Sequence, residues 1–87
     1  MIKITISTSD HAAVVRLEGR LAGQYVVEVR KSCEPFVAED REVTIDVTGV
    51  SFVDRDGLAL IRHLMGQGVH FANCSLFLAE QLKEVSS

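Results

Sequence analysis

The sequence predicts an α/β domain: a mixed sheet of four to five strands, opened by an antiparallel hairpin, with helices packed on it. Three observations carry this expectation. Apolar and polar residues alternate strictly over residues 2–7 and 42–48, the period of a half-buried strand. Apolar residues recur every three to four positions over about 21–40 and again from 57, the period of a helix with one buried face. Only a short turn separates the first two strand-like runs, whereas later ones are separated by whole helices.

Taken in order, Ile2, Ile4 and Ile6 alternate with Lys3, Thr5 and Ser7, so one face of the first strand meets a core. Ser9-Asp10-His11 reads as a turn, and Ala13-Val14-Val15-Arg16-Leu17-Glu18 as the returning strand, ended by Gly19. In the first helix Ala22, Tyr25, Val29, Cys33 and Phe36 or Val37 share a face. Pro35 cannot donate to the Lys31 carbonyl, which predicts a kink or an early stop. Residues 42–48 form a central strand. Gly49 and Val50-Ser51-Phe52-Val53 then lead into Asp54. From Gly57 a second helix places Leu58, Ile61, Leu64 and Met65 on one face and Arg62 and His63 elsewhere. Gly66-Gln67-Gly68 terminates it. Val69-His70-Phe71 and Ser75-Leu76-Phe77-Leu78 are strand candidates, and a last short helix covers about 79–85. Strands joined through helices take right-handed crossovers and pair in parallel, so the hairpin supplies an antiparallel edge to a parallel core.

Composition narrows the function. The 87 residues are enough for one domain, 1–87, with one modest core. Nine basic residues are scattered among twelve acidic ones for a net charge of −3, with no basic stripe to neutralise a phosphate backbone; no nucleic-acid partner is expected. No apolar run approaches the length of a membrane span, and the first residues alternate rather than forming a signal core, so a cytoplasmic protein is expected. Cys33 and Cys74 lack any metal-ligand spacing and read as reduced thiols; no cofactor and no metal are expected.

One segment stands out. Val50-Ser51-Phe52-Val53-Asp54-Arg55-Asp56-Gly57-Leu58 delivers two carboxylates and a glycine to a helix start. The plainest role is capping, in which Asp54 or Asp56 accepts from the first free N–H groups. Asp-x-Asp-Gly after an apolar strand also looks like the first motif of haloacid-dehalogenase-type phosphatases, in which one carboxylate attacks phosphorus and Mg²⁺ neutralises charge. That chemistry needs further acids for the metal and a lysine for the phosphate. After Asp56 the chain holds no aspartate, only Glu80 and Glu84, and one lysine, Lys83. A hard-cation site would have to recruit Asp46 with Asp54 and Asp56, and Asp46 lies well back on a strand.

A family resemblance spans nearly the whole chain. Leu17-Glu18-Gly19-Arg20-Leu21, the following helix, Val43-Thr44-Ile45-Asp46-Val47-Thr48-Gly49-Val50-Ser51-Phe52-Val53-Asp54, and Gly57-Leu58-Ala59-Leu60 together resemble the STAS domain, the module of anti-sigma factor antagonists and sulphate-transporter tails. The resemblance implies the mixed sheet described above, no catalysis, and a protein partner: an anti-sigma factor of the kinase type or a sensor component. It places partner binding on Asp54, Arg55, Asp56 and Gly57.

The same resemblance exposes two departures. The residue after the signature aspartate is, in phosphorylatable antagonists, the serine or threonine that the kinase modifies; here it is Arg55, followed by Asp56. No phosphosite is therefore expected in this loop, and Ser51 precedes the motif. Asp54, Arg55 and Asp56 carry a net −1, as an unmodified Asp-Ser-Ser loop would, whereas a phosphoserine adds roughly −1.5 to −2. The loop thus matches the unphosphorylated, partner-binding state in charge, while Arg55 adds a cation at a helix N-terminus at a cost of about 0.3–1 kcal/mol. The second departure is a shorter connection from Gly57 to the next strand. The expected function is a non-catalytic regulatory binding domain. A scaffold or self-associating module is the alternative, and an Asp-x-Asp phosphatase a remote one.

Overall fold

The computed structural model describes residues 2–74 and 78–80. The element order is β1 (Ile2–Thr8), β2 (Ala12–Leu21), α1 (Gln24–Ala38), β3 (Glu42–Val53), α2 (Arg55–Gly66) and β4 (His70–Ala72). The sheet runs β1-β2-β3-β4, with β1 antiparallel to β2 and both β2·β3 and β3·β4 parallel. This is the mixed sheet with an antiparallel edge that the residue periods predict, with four strands among the described residues. Of the later strand candidate, Ser75, Leu76 and Phe77 lie outside the described residues, and Leu78 is helical with Ala79 and Glu80. The rest of the predicted last helix also lies outside them.

One face of the sheet holds the core. Val15 and Leu17 from β2 and Val43, Ile45 and Val47 from β3 pack with Val29 and Cys33 of α1, with Leu58, Ile61 and Leu64 of α2, and with Leu78. The other face carries the exposed Lys3, Thr5, Val14, Arg16 and Glu18. Both helices lie on the core side, as two successive crossovers of one hand require.

The largest correction concerns β3, which does not stop before Gly49. It runs on to Val53, and β2 correspondingly passes Gly19 to reach Leu21. The β2·β3 register explains why alternation hid this. Between the pairs Arg16↔Asp46 and Glu18↔Gly49, β3 advances one residue more than β2, and it does so again between Gly19↔Val50 and Arg20↔Phe52. Each bulge shifts the inward phase by one. The core positions of β3 are therefore Val43, Ile45 and Val47, then the half-buried Val50 and the buried Val53.

Helix boundaries also move. The first helix begins at Gln24 rather than at 21, because β2 occupies Leu21 and Gly23 adopts φ 57°, ψ −131°, a conformation reserved for glycine. Pro35 lies inside α1, which continues to Ala38. Its place in the last turn sacrifices a single bond, to the Lys31 carbonyl, and its side chain faces solvent. The face of α1 is built on Val26, Val29 and Cys33, with Tyr25 half-buried. The second helix begins at Arg55, two residues before Gly57, and its buried set is Gly57, Leu58, Leu60, Ile61 and Leu64, so the face turned to the core includes Leu60 and leaves Met65 41% exposed.

Candidate functional site

The site forms where β3 ends and α2 begins. Asp54 is the N-cap of α2: its backbone is extended, and its Oδ1 accepts from the Gly57 N–H at 2.7 Å. Oδ2 accepts from the Gly23 N–H at 2.9 Å, across thirty-one residues. Gly23 is the N-cap of α1, whose own cap has no side chain to offer. One carboxylate therefore serves the starts of both helices. The Asp54 N–H closes the sheet by donating to the Leu21 carbonyl at 3.2 Å.

These bonds set the electrostatics. The Gly23 N–H, followed by the Gly57 N–H, stabilises the ionised carboxylate and holds Asp54 below the usual aspartate range, against a smaller opposing effect of burial. Asp54 is thus an anion at neutral pH, with both oxygens engaged by main-chain donors. Gly57 is buried. A Cβ there would lie 2.6 Å from the Leu21 carbonyl oxygen and 2.8 Å from Val53 Cγ1, so α2 can seat on the strand ends only with glycine in its first turn.

Of the four residues expected at the partner surface, the structure brings all together in one turn but gives them different surroundings. Asp54 is half-buried and Gly57 buried, whereas Arg55 and Asp56 are exposed. Asp56 suits the positive end of the helix dipole. It also lines a hollow of about 330 Å³ between the helices, floored by Val26 and Leu60 and rimmed by Val27, Arg30, Ala59 and His63. A second hollow, of about 320 Å³, shares Arg30 and His63 and extends the groove towards Val37 and Gln67. Arg30 is held by Glu34 at 3.0 Å. Sequence reasoning did not find this groove. Its signal lay in the topology, since two same-handed crossovers place α1 beside α2, and in Gly23 standing before the first helix.

Asp46 is separate from the loop. On the outer sheet face it accepts from the Thr48 hydroxyl and N–H and from Asn73, with Arg16 at 3.8 Å. Its carboxyl is held low chiefly by the Thr48 hydroxyl and N–H and by Asn73, with a smaller contribution from Arg16. Asp46, Asp54 and Asp56 do not converge, and among the described residues no group of three His, Cys, Asp or Glu side chains could hold a metal ion. Ser51, in the second bulge, donates to the Gly19 carbonyl at 3.2 Å.

Fold and site together define a class: a two-layer α/β module with a mixed sheet, whose second helix is capped by an aspartate at the end of a central strand. The chain belongs to the STAS family; the family described as Mlab, STAS domain matches residues 4–80. Among solved structures it is similar to the anti-sigma factor antagonist SpoIIAA in its unphosphorylated form, with a TM-score of 0.77 and 17% identity over 93% of this chain and 82% of that one. It is also similar to an anti-sigma factor antagonist from Mycobacterium paratuberculosis (TM-score 0.71, 18% identity, 82% of this chain and 66% of that one). A third similar structure, Mglu, gives a TM-score of 0.68 at 18% identity over 83% of this chain, which spans only 20% of that protein. No curated protein sequence matches. No helix among the described residues is long and apolar enough to cross a membrane.

Proposed function

We propose that this chain is a single non-catalytic regulatory domain that binds a protein partner, an anti-sigma factor of the kinase type or a related sensor component, through the turn at Arg55 and Asp56 and the groove beside it. The observation that carries this reading is the use of Asp54. Both its oxygens are taken by main-chain N–H groups, which supports a capping role over that of a nucleophile or metal ligand. The exposed chemistry of the loop is then Arg55 and Asp56 at the mouth of an inter-helix groove. Asp54 and Gly57 shape this surface rather than offer side chains to a partner. Two proteins of similar fold are anti-sigma factor antagonists, and they point to the partner class.

With Arg55 at the position following the aspartate, the loop has no acceptor for a kinase and is constitutively competent. Titration calorimetry against an ATPase-type anti-sigma kinase from the same genome tests both halves. Wild type binds; Arg55→Ser shifts affinity on the order of tenfold, about 1.4 kcal/mol, while stability stays within roughly 0.5 kcal/mol. Incubation with the kinase and ATP leaves the intact mass unchanged. Absence of binding, or an affinity indifferent to Arg55, overturns the docking surface, and an added phosphate in the loop overturns the constitutive state.

A further inference from the structure

The outer edge of β1 is the longest strand edge without a partner among the described residues. β1 lies at one end of the sheet and pairs only with β2, over seven consecutive residues with no register shift. It contains no proline and no glycine, and Lys3 is its only charge. Strand edges are usually blunted by proline, bulges or several charges; this one is straight and nearly uncharged. Its side chains are sorted by face. Ile2, Ile4 and Ile6 lie opposite Gly19, Leu17 and Val15 on the core side, and Ile6 is 41% exposed there.

We infer that the β1 edge is a self-association surface, on which a second copy of this chain pairs antiparallel about Thr5 to continue the sheet. Two-fold symmetry makes the case. An antiparallel isologous pair has its axis perpendicular to the sheet, so opposed residues must share a face and their numbers must sum to an even value. The register centred on Thr5 is the one that pairs all seven residues. It sets Thr5 against Thr5, Ile4 against Ile6 and Ile2 against Thr8 of the second copy, and it covers the exposed Ile6 with isoleucine. Lys3 falls opposite Ser7 of the second copy, never opposite another lysine, and within its own subunit it faces Glu18. Like charges therefore never meet directly, isoleucine packs on isoleucine at the two central pairs of one face, and the other face pairs Thr5 with Thr5 and Lys3 with Ser7. One strand edge is small beside the roughly 1,600 Å² of a standard stable interface, so the dimer forms at high protein concentration.

The surface shares no residue with the loop at 54–57, so its failure and that of the docking proposal are separable. Sedimentation velocity over a concentration series reads the monomer–dimer equilibrium, and Ile6→Lys weakens it by about tenfold or more with an unchanged circular dichroism spectrum. Register is read by disulfide trapping in a Cys74→Ser background. Thr5→Cys gives a covalent dimer on mild oxidation, while Lys3→Cys, whose symmetry mate is distant, does not. A chain that stays monomeric at every concentration overturns the inference. So does a dimer indifferent to Ile6→Lys, or one in which Lys3→Cys is trapped as readily as Thr5→Cys. Capture of a foreign strand by a chain that does not dimerise overturns the second copy as occupant.

Discussion

Asp54 receives a main-chain N–H on each carboxylate oxygen, and each is a charge-assisted bond closing a helix start. Removing both with Asp54→Ala should lower stability by about 2 kcal/mol, twice the usual loss of one cap, as read by urea denaturation. Asp54→Asn keeps one acceptor oxygen and should lose less. The sign of the pH dependence follows from the direction of the shift. Asp54 and Asp46 both titrate below their unfolded values, so their contribution is complete above an unfolded aspartate pKa of about 3.9 and disappears as pH falls through the folded values. The urea midpoint should thus be insensitive to these groups between pH 5 and 7 and drop below about pH 4, with a shallower drop in Asp54→Asn. Half of this was legible in the sequence. An aspartate three residues before Gly57 announces a cap, but nothing local announces Gly23, because that bond depends on two strands ending side by side.

Strands and helices show the same division. β1 and the first part of β3 were plain from alternation, since every residue there is paired and the phase never slips. The end of β3 was not, because two bulges change the inward spacing from two to three, a rhythm that belongs to neither regular element. The start of α2 was hidden for a related reason: its first two residues, Arg55 and Asp56, are exposed and charged and add nothing to the apolar period that begins at Leu58. Glycines in this helix should respond in opposite directions. Gly57→Ala forces a methyl against the Leu21 carbonyl and should cost roughly 2–3 kcal/mol despite the better helix propensity of alanine. Gly66→Ala meets nothing within 4 Å and should add about 0.5–1 kcal/mol. Thermal denaturation of the two variants checks both signs.

For the whole molecule, the single core makes its most buried thiol a reporter of global opening. Cys33 is fully enclosed, and burial pushes its pKa up to about 11, while Cys74 is half-buried and raised for the same reason. Native protein should label at Cys74 before Cys33 with an alkylating reagent. Labelling of Cys33 should track the unfolded fraction across a urea series, as intact-mass kinetics would show. The architecture was legible at this scale because hairpin, crossovers and periods admit few topologies. The inter-helix groove was not, because it is lined by residues of two helices whose separation no local pattern encodes.

The clasp at Asp54 has an implication for how such a domain diversifies. Its two partners are the backbone N–H groups of Gly23 and Gly57, so no side chain at 55 or 56 takes part in it and the clasp places little demand on their identities. Those two positions can drift, or be rewritten deliberately, as a short address label while the frame that displays it stays the same. A library randomised at 55 and 56 alone should consist almost wholly of folded proteins that differ in whom they greet.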